Sequence, residues 1–284
     1  MSQHRPVARQ RAPFLNPLHR LYEVPDRSET TLPPPLAELY GGDLWLPDAC
    51  VYANFVSSID GIVALEGGTA PSGGIISGRN EADRFVMGML RAFADVVLVG
   101  AGTVRAEGGR ALWTPEYIFP AAADGFRALR HTLKRDGEPR LVIVSARGEL
   151  DPSHRALQAG ALVLTTETSA VRLRRVLPGV TDVRAVSGTD RLDVHQILDL
   201  LEADGHHRIL TEGGPRLFGQ IVANDDIDEL FLTVSPVLAG QKGDRSFGLV
   251  HGVDFGRAPK HGRLIGVRRH GSHLFLRYRW ERPA

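Results

Sequence analysis

Short apolar segments alternate along this chain with segments of helical period, and that alternation predicts an α/β fold on a mostly parallel sheet. Two further observations shape the prediction. Glycine turns follow several apolar segments directly, at the place where parallel sheets bind ligands, beyond the carboxyl ends of the strands. A glycine between two C-terminal apolar runs signals a closing hairpin with antiparallel strands.

Residues 1–48 come first and are proline-rich: eight of the 18 prolines lie there, with Pro33-Pro34-Pro35 in a row. They read as an N-terminal arm with short anchors such as Leu36–Tyr40, either a free tail or an arm packed on the body or on a partner subunit. Residues 49–284 read as the body. Val51–Val56 is a strand, and Gly61 to Gly78 a glycine-rich connection. Asn80 caps a helix, with Asp83 at capping-box spacing. That helix sets Phe85, Met89 and Phe93 on one face with Val86 and Leu90 beside them, and ends near Ala94-Asp95. Val96–Val99, Leu141–Val144 and Ala161–Leu164 are short apolar runs and read as buried strands. Val194–Ala203 is a helix with Ile197, Leu198 and Leu201 inward, Arg208–Thr211 a strand, Arg216–Ala223 a helix and Leu230–Val234 a strand. Arg263–Val267 and Leu274–Trp280 flank Gly271 as the hairpin. Leu230–Val234 and the run to Gly240 read as an apolar edge of a single subunit.

Composition excludes several classes. The 284 residues include 43% hydrophobic and 24% charged, and Lys+Arg 34 against Asp+Glu 33 leaves +1, so no global field draws nucleic acid. One cysteine, Cys50, excludes an intramolecular disulfide and a cysteine-rich metal site, and fits a reducing, cytoplasmic setting. Val96–Val99 falls far short of the roughly 20 residues of a membrane helix. Pro6, Pro13 and Pro17 stand where a secretory signal needs an apolar stretch. His270 and His273 straddle the hairpin turn and His206-His207 lie in a loop; with no evident third ligand they read as surface histidines, so no metal is expected. Residues 251–284 hold eight Lys/Arg against two acids and read as a solvated strand face in preference to a nucleic-acid platform.

Glycine is the compositional excess: 31 residues, about 11% against a usual ~7%. Eleven of the 31 fall between Gly61 and Gly109. One turn, Val99-Gly100-Ala101-Gly102-Thr103-Val104-Arg105, follows a strand and lets backbone approach a phosphate, although Arg105 occupies the third glycine position of a full dinucleotide fingerprint. A second, Thr211-Glu212-Gly213-Gly214-Pro215-Arg216-Leu217, runs from a strand to a helix start that favours an anion. There Glu212 is either a capping carboxylate or a ligand-contacting group. A third, Ser57-Ser58-Ile59-Asp60-Gly61, places Asp60 at a strand end, as a turn residue or as a substrate-contacting acid. Two glycine turns suit a dinucleotide, which carries two phosphates.

These residues occur in a specific order: Asn54-Phe55-Val56-Ser57-Ser58-Ile59-Asp60-Gly61, Ile76-Ser77 leading to Leu90-Arg91-Ala92, the Gly100 and Gly213 turns, Ile227-Asp228-Glu229-Leu230, and Pro236-Val237-Leu238-Ala239-Gly240. Over about residues 49–280 the chain resembles the reductase domain of the bifunctional riboflavin-biosynthesis deaminase-reductase and its stand-alone pyrimidine reductase relatives. The resemblance implies a dihydrofolate reductase-like three-layer fold, with helices on both faces of the sheet. It also implies an NADPH-dependent reductase of a ribosylaminopyrimidine 5′-phosphate, with hydride delivered to the ribose C1 of a ring-opened imine. By the same resemblance Val56, Ile76, Gly100, Gly102, Thr103, Ser145, Gly213, Gly214, Pro215, Arg216 and Leu217 lie on the cofactor. Arg147 joins Ser145 at the 2′-phosphate, and Asp83 and Glu107 are further cofactor-side candidates. Ser58, Arg91 and Glu212 face substrate, and the catalytic acid is Asp60 or Glu212, stabilising a cationic imine or relaying its proton. A homodimer is implied as well.

The run Ala106-Glu107-Gly108-Gly109-Arg110-Ala111 departs from the family, whose members follow the glycine turn with paired aspartates, a proline and a basic tail. Reduction of another heterocycle such as dihydrofolate is therefore the alternative reading, and a non-catalytic nucleotide-binding regulator a third. No deaminase half is present in this sequence.

Overall fold

The structure, a computed structural model, describes residues 15–25, 32–65, 72–187, 191–240 and 246–281. Its strands in chain order are β1 (His19–Glu23), β2 (Cys50–Ser57), β3 (Ile62–Leu65), β4 (Val96–Gly100), β5 (Arg140–Val144), β6 (Leu162–Thr166), β7 (Asp182–Ser187), β8 (Arg208–Thr211), β9 (Glu229–Val234), β10 (Ser246–Gly248), β11 (Arg263–His270) and β12 (His273–Arg279). Its helices are α1 (Pro34–Tyr40), α2 (Ser72–Ile76), α3 (Glu81–Phe93), α4 (Ala101–Glu107), α5 (Pro115–Ile118), α6 (Ala123–Thr132), α7 (Arg155–Gln158), α8 (Glu167–Val176), α9 (Val194–Ala203) and α10 (Pro215–Ala223). Among the described residues no helix is long and apolar enough to cross a membrane.

Ten strands form one sheet in the order β1-β11-β12-β9-β2-β8-β4-β5-β6-β7. The seven from β9 to β7 run parallel, and β12, β11 and β1 add antiparallel pairs on one side. Side chains of a strand alternate between faces, and β4 shows the result. Val97 and Val99 join Phe85, Met89 and Phe93 of α3 in one core layer. Val96 and Leu98 join Ile197 and Leu201 of α9 and Phe218 and Ile221 of α10 in the other. Each such fully covered side chain stabilises the fold by about 1.5–3 kcal/mol. Two cores on the two faces of a mostly parallel sheet are the predicted α/β architecture.

Several elements differ from the sequence reading. The connection between Gly61 and Gly78 is not structureless: β3 and α2 lie within it. Ser58 Oγ accepts from Ile62 N at 2.9 Å, and β3 pairs with the distant β10, a partner no local pattern announces. Asn80 caps α3 by accepting from Asp83 N at 3.1 Å, but the Asp83 carboxyl does not return the bond; it accepts from the Thr233 hydroxyl, leaving half a capping box. β9 is not an edge: it lies between β2 and β12 and is bonded on both sides. The hairpin does not end the sheet either, because β1 pairs with β11.

Residues 15–25 and 32–48 pack on the body. Leu18, Leu36, Leu39, Tyr40, Leu44 and Leu46 enter the first core, and His19 pairs with Arg269 across the sheet. His270 and His273 are half-buried, not surface groups. His273 Nδ1 meets the Asn80 amide and its Nε2 the Ser77 carbonyl, each at 3.0 Å, which ties the hairpin to the start of α3.

Candidate active site

The strand order places β8, β4 and β5 side by side, all parallel. Their carboxyl ends therefore bring the Gly213-Gly214 turn, the Gly100–Thr103 turn and Ser145 into one row. A cleft of about 810 Å³ runs along it. Gly100, Gly102, Thr103, Ser145, Arg147, Gly214, Pro215, Arg216 and Leu217 all line it. The small β3–β10 sheet supplies the facing wall through Leu65 and Phe247.

Each glycine has its own reason. At Gly213 an added Cβ would strike the Leu217 side chain at 2.5 Å, so the residue serves internal packing. At Gly100 and Gly102 nothing lies within 4 Å of the missing Cβ, and neither has a positive φ. Neither packing nor backbone conformation requires glycine there, and what its absent side chain leaves is room for a ligand to reach the backbone. Gly100 caps α4 and Gly214 caps α10, both without a side-chain cap, so N–H groups at two helix starts face the cleft. Among the described residues, Arg105, Arg147, Arg191 and Arg216 line it against a single acid, Glu149. The cleft thus fits a dinucleotide: space, backbone donors at two points, and excess positive charge.

Ser145 is nearly covered and its Oγ accepts from Gly148 N at 3.0 Å, which shapes the turn carrying Arg147. Five predicted cofactor residues are absent from the lining: Val56, Ile76, Asp83, Glu107 and Gly213. Ile76 is fully buried and its carbonyl accepts from the Ser235 hydroxyl, so its place is in the core. Val56 lies beside Gly73.

A second group stands next to the cleft. Arg91, on the last turn of α3, forks onto Glu212: Nη2 to Oε2 at 2.7 Å and Nε to Oε1 at 3.0 Å. Their side chains are 6% and 8% exposed, so the pair faces itself and not open solvent. Arg91 Nη1 also donates to the carbonyls of Leu112 and Thr114 at 3.4 Å. Glu212 is therefore an ion-paired carboxylate and not a helix cap. Asp83 and Glu107 feel its charge. Burial, and then Glu212, push Asp83 up to about 6, against the Thr233 hydrogen bond. Glu107, whose side chain reaches solvent, is raised by the protein around it and then by Glu212, with Arg91 opposing.

Asp60 belongs to neither group. It is exposed, and its carboxylate accepts from the Ser58 hydroxyl and from the backbone N–H groups of Ala239 at 3.0 Å and Gly240 at 2.7 Å. Those donors, Ser58 first, hold it down at about 2. It is a fixed anion that pins the loop after β9. Ser58 itself is covered and committed to Ile62 and Asp60.

Sequence reasoning missed Arg105, Arg191, Gln220 and His251, which also line the cleft. Arg105 carried a signal, since it stands where the fingerprint would have glycine. The others follow no motif.

An open α/β sheet with a cleft across its strand ends and a buried arginine–carboxylate pair beside it is the architecture of a dihydrofolate reductase-like fold. The chain belongs to the RibD C-terminal domain family, whose model matches residues 49–273. It is a RibD-type reductase domain, an oxidoreductase. It is 27% identical over 195 residues to the 2,5-diamino-6-ribosylamino-4(3H)-pyrimidinone 5′-phosphate reductase of Archaeoglobus fulgidus, covering 67% of this chain and 81% of that one. The protein of the same name from Methanothermobacter thermautotrophicus is 26% identical, over 72% of this chain and 85% of that one. In structure the chain matches a pyrimidine reductase-like protein from Corynebacterium diphtheriae with a TM-score of 0.67 at 23% identity, covering 87% of this chain and 99% of that one.

Proposed function

We propose that this protein reduces a ribosylaminopyrimidine 5′-phosphate to its ribitylamino form with NADPH, in riboflavin biosynthesis, as a cytoplasmic homodimer. The observation that carries the reading is the convergence of the Gly100–Thr103 and Gly214–Leu217 turns on one cleft, with Glu212 immediately before the second turn. The names of both curated relatives support the substrate class.

NADPH, held by the two turns with Arg147 near its 2′-phosphate, supplies the hydride when bound. The protein's residues do the rest. Reduction of an imine places hydride on carbon and a proton on nitrogen. Glu212, clasped by Arg91 at 2.7 Å, is the carboxylate that stabilises positive charge on the substrate nitrogen. Asp60, whose donors hold it down at about 2, anchors the Ala239-Gly240 loop beside the substrate and gives no proton. Of the acids named by sequence, Asp83 and Glu107 are those whose affinity for a proton is raised.

The test is NADPH oxidation with the diaminopyrimidinone ribosyl phosphate and with dihydrofolate. Turnover of the first, at a specificity constant at least about tenfold above the second, is the expected result. Equal constants overturn the substrate reading, and NADPH binding without oxidation of either overturns the enzyme reading.

A further inference from the structure

The tip of the β11–β12 hairpin reaches the start of α3, and the contact is more specific than packing or capping needs. Asn80 caps α3 with Oδ1 alone, by accepting from Asp83 N at 3.1 Å. Serine or aspartate caps a helix as well. What asparagine adds is an amide N–H, and it is directed at His273 Nδ1, 3.0 Å away. The other ring nitrogen, Nε2, meets the Ser77 carbonyl at 3.0 Å, and that carbonyl also accepts from Asn80 N at 3.2 Å. A carbonyl only accepts, so Nε2 carries the ring hydrogen. Asn80 Oδ1 is taken by Asp83 N, so the amide hydrogens of Asn80 face Nδ1. One imidazole thus fixes both ends of the turn that leads into α3.

The first turn of α3 is gripped from the next strand too. Asp83, nearly covered, accepts from the Thr233 hydroxyl of β9. In the β9–β12 register Leu274 faces Val234 and Phe275 faces Thr233, so His273 and Thr233 join adjacent strand ends to one helix start. Asp83 and Arg91 lie on one face of α3, and Glu212 acts on both. Among the described residues, the groups that face Asp83 are Thr233 from β9 and Glu212 from the turn after β8.

We propose that His273 is a positioning residue of the reductase site: through the Asn80 amide it sets the first turn of α3, and so the place of the Asp83 carboxyl on Thr233 and of the Arg91 fork on Glu212. A bond lost at the hairpin tip is then felt in the ionic cluster and not in the cleft, whose lining includes neither Asn80 nor His273. The kinetic consequence rests on the reductase reading; the effect on Asp83 does not.

The test compares the full wild-type chain with three variants. His273→Phe keeps a ring and loses both hydrogen bonds, His273→Gln keeps an acceptor and a donor, and Asn80→Ser keeps the cap and loses the link. Two quantities are read: turnover of NADPH with the diaminopyrimidinone ribosyl phosphate, and the titration midpoint of the Asp83 carboxyl by carbon NMR. His273→Phe and Asn80→Ser are each expected to lower kcat about tenfold, with the KM for NADPH unchanged. Each is also expected to displace the Asp83 midpoint by about half a pH unit or more. The two together are no worse than either alone, as for two halves of one link, and His273→Gln recovers most of both losses. An unchanged kcat, a raised KM for NADPH in place of a lowered kcat, an Asp83 midpoint that stays put, additive losses in the double variant, or a loss in His273→Gln as large as in His273→Phe each overturns the inference. Should His273→Phe fail to fold, Asn80→Ser carries the same readings. A wild type that turns over no substrate overturns the reductase reading, and the Asp83 midpoint then decides the positioning by itself.

Discussion

Along the cleft, Gly100, Gly102 and Gly214 present backbone and open space, whereas Glu212, two residues before Gly214, is clasped at 2.7 Å by an arginine as covered as itself. The cleft wall is made by leaving side chains out; beside it, one covered guanidinium is packed against one covered carboxylate. The contrast separates two tasks. A cofactor held through backbone donors needs little from side chains beyond their absence. A reacting site needs charged groups already held in place before substrate arrives, as the Arg91 fork holds Glu212, while burial raises the affinity of Asp83 for a proton.

Four measurements press on that contrast. Arg91→Ala has the largest expected effect: it leaves Glu212 buried without a partner and lowers stability by about 3–5 kcal/mol in thermal or denaturant unfolding. Asp83→Asn comes next and reveals itself through pH. The folded chain binds the Asp83 proton more tightly than the unfolded chain, so its stability is full below about pH 4 and declines until about pH 6. The variant does not share the decline, and above pH 6 it gains about 3 kcal/mol on wild type. A gap that stays constant with pH contradicts the assignment.

On the cleft wall, Gly102→Leu is expected to weaken NADPH binding about 100-fold, equivalent to about 2.7 kcal/mol, with little change in melting temperature. A fall in melting temperature without loss of affinity would make the glycine structural. The smallest effect belongs to Asp60. The support it gives the 239–240 loop is present above about pH 4 and lost only as pH falls towards 2, so turnover shows no Asp60 step around neutrality. A step near neutrality that disappears in Asp60→Asn would reverse that reading.

The sequence made the central sheet legible because its strands are continuous apolar runs ended by glycine, and α9 because Val194, Ile197, Leu198 and Leu201 recur at helical period. It did not reveal α8, where only Ser169, Ala170 and Leu173 are covered, nor β3, whose partner β10 lies some 180 residues on. The glycine turns of the site were readable for the same reason as the sheet: each follows its strand without a gap. The ionic cluster was readable only as separate residues. Asp83 and Arg91 stand on α3 and Glu212 after β8, and nothing local says that Arg91 reaches across to the carboxylate while Asp83 turns to Thr233. Asp60 showed its place but not its state, since the amides that hold it lie at Ala239 and Gly240.

The pairing of β1 with β11 joins His19 to Arg269, about 250 residues apart in the chain. A contact of that separation closes a long loop, and such pairings form slowly compared with local ones. Leu15 and Leu18, buried in the core under α3, share that dependence on distant partners.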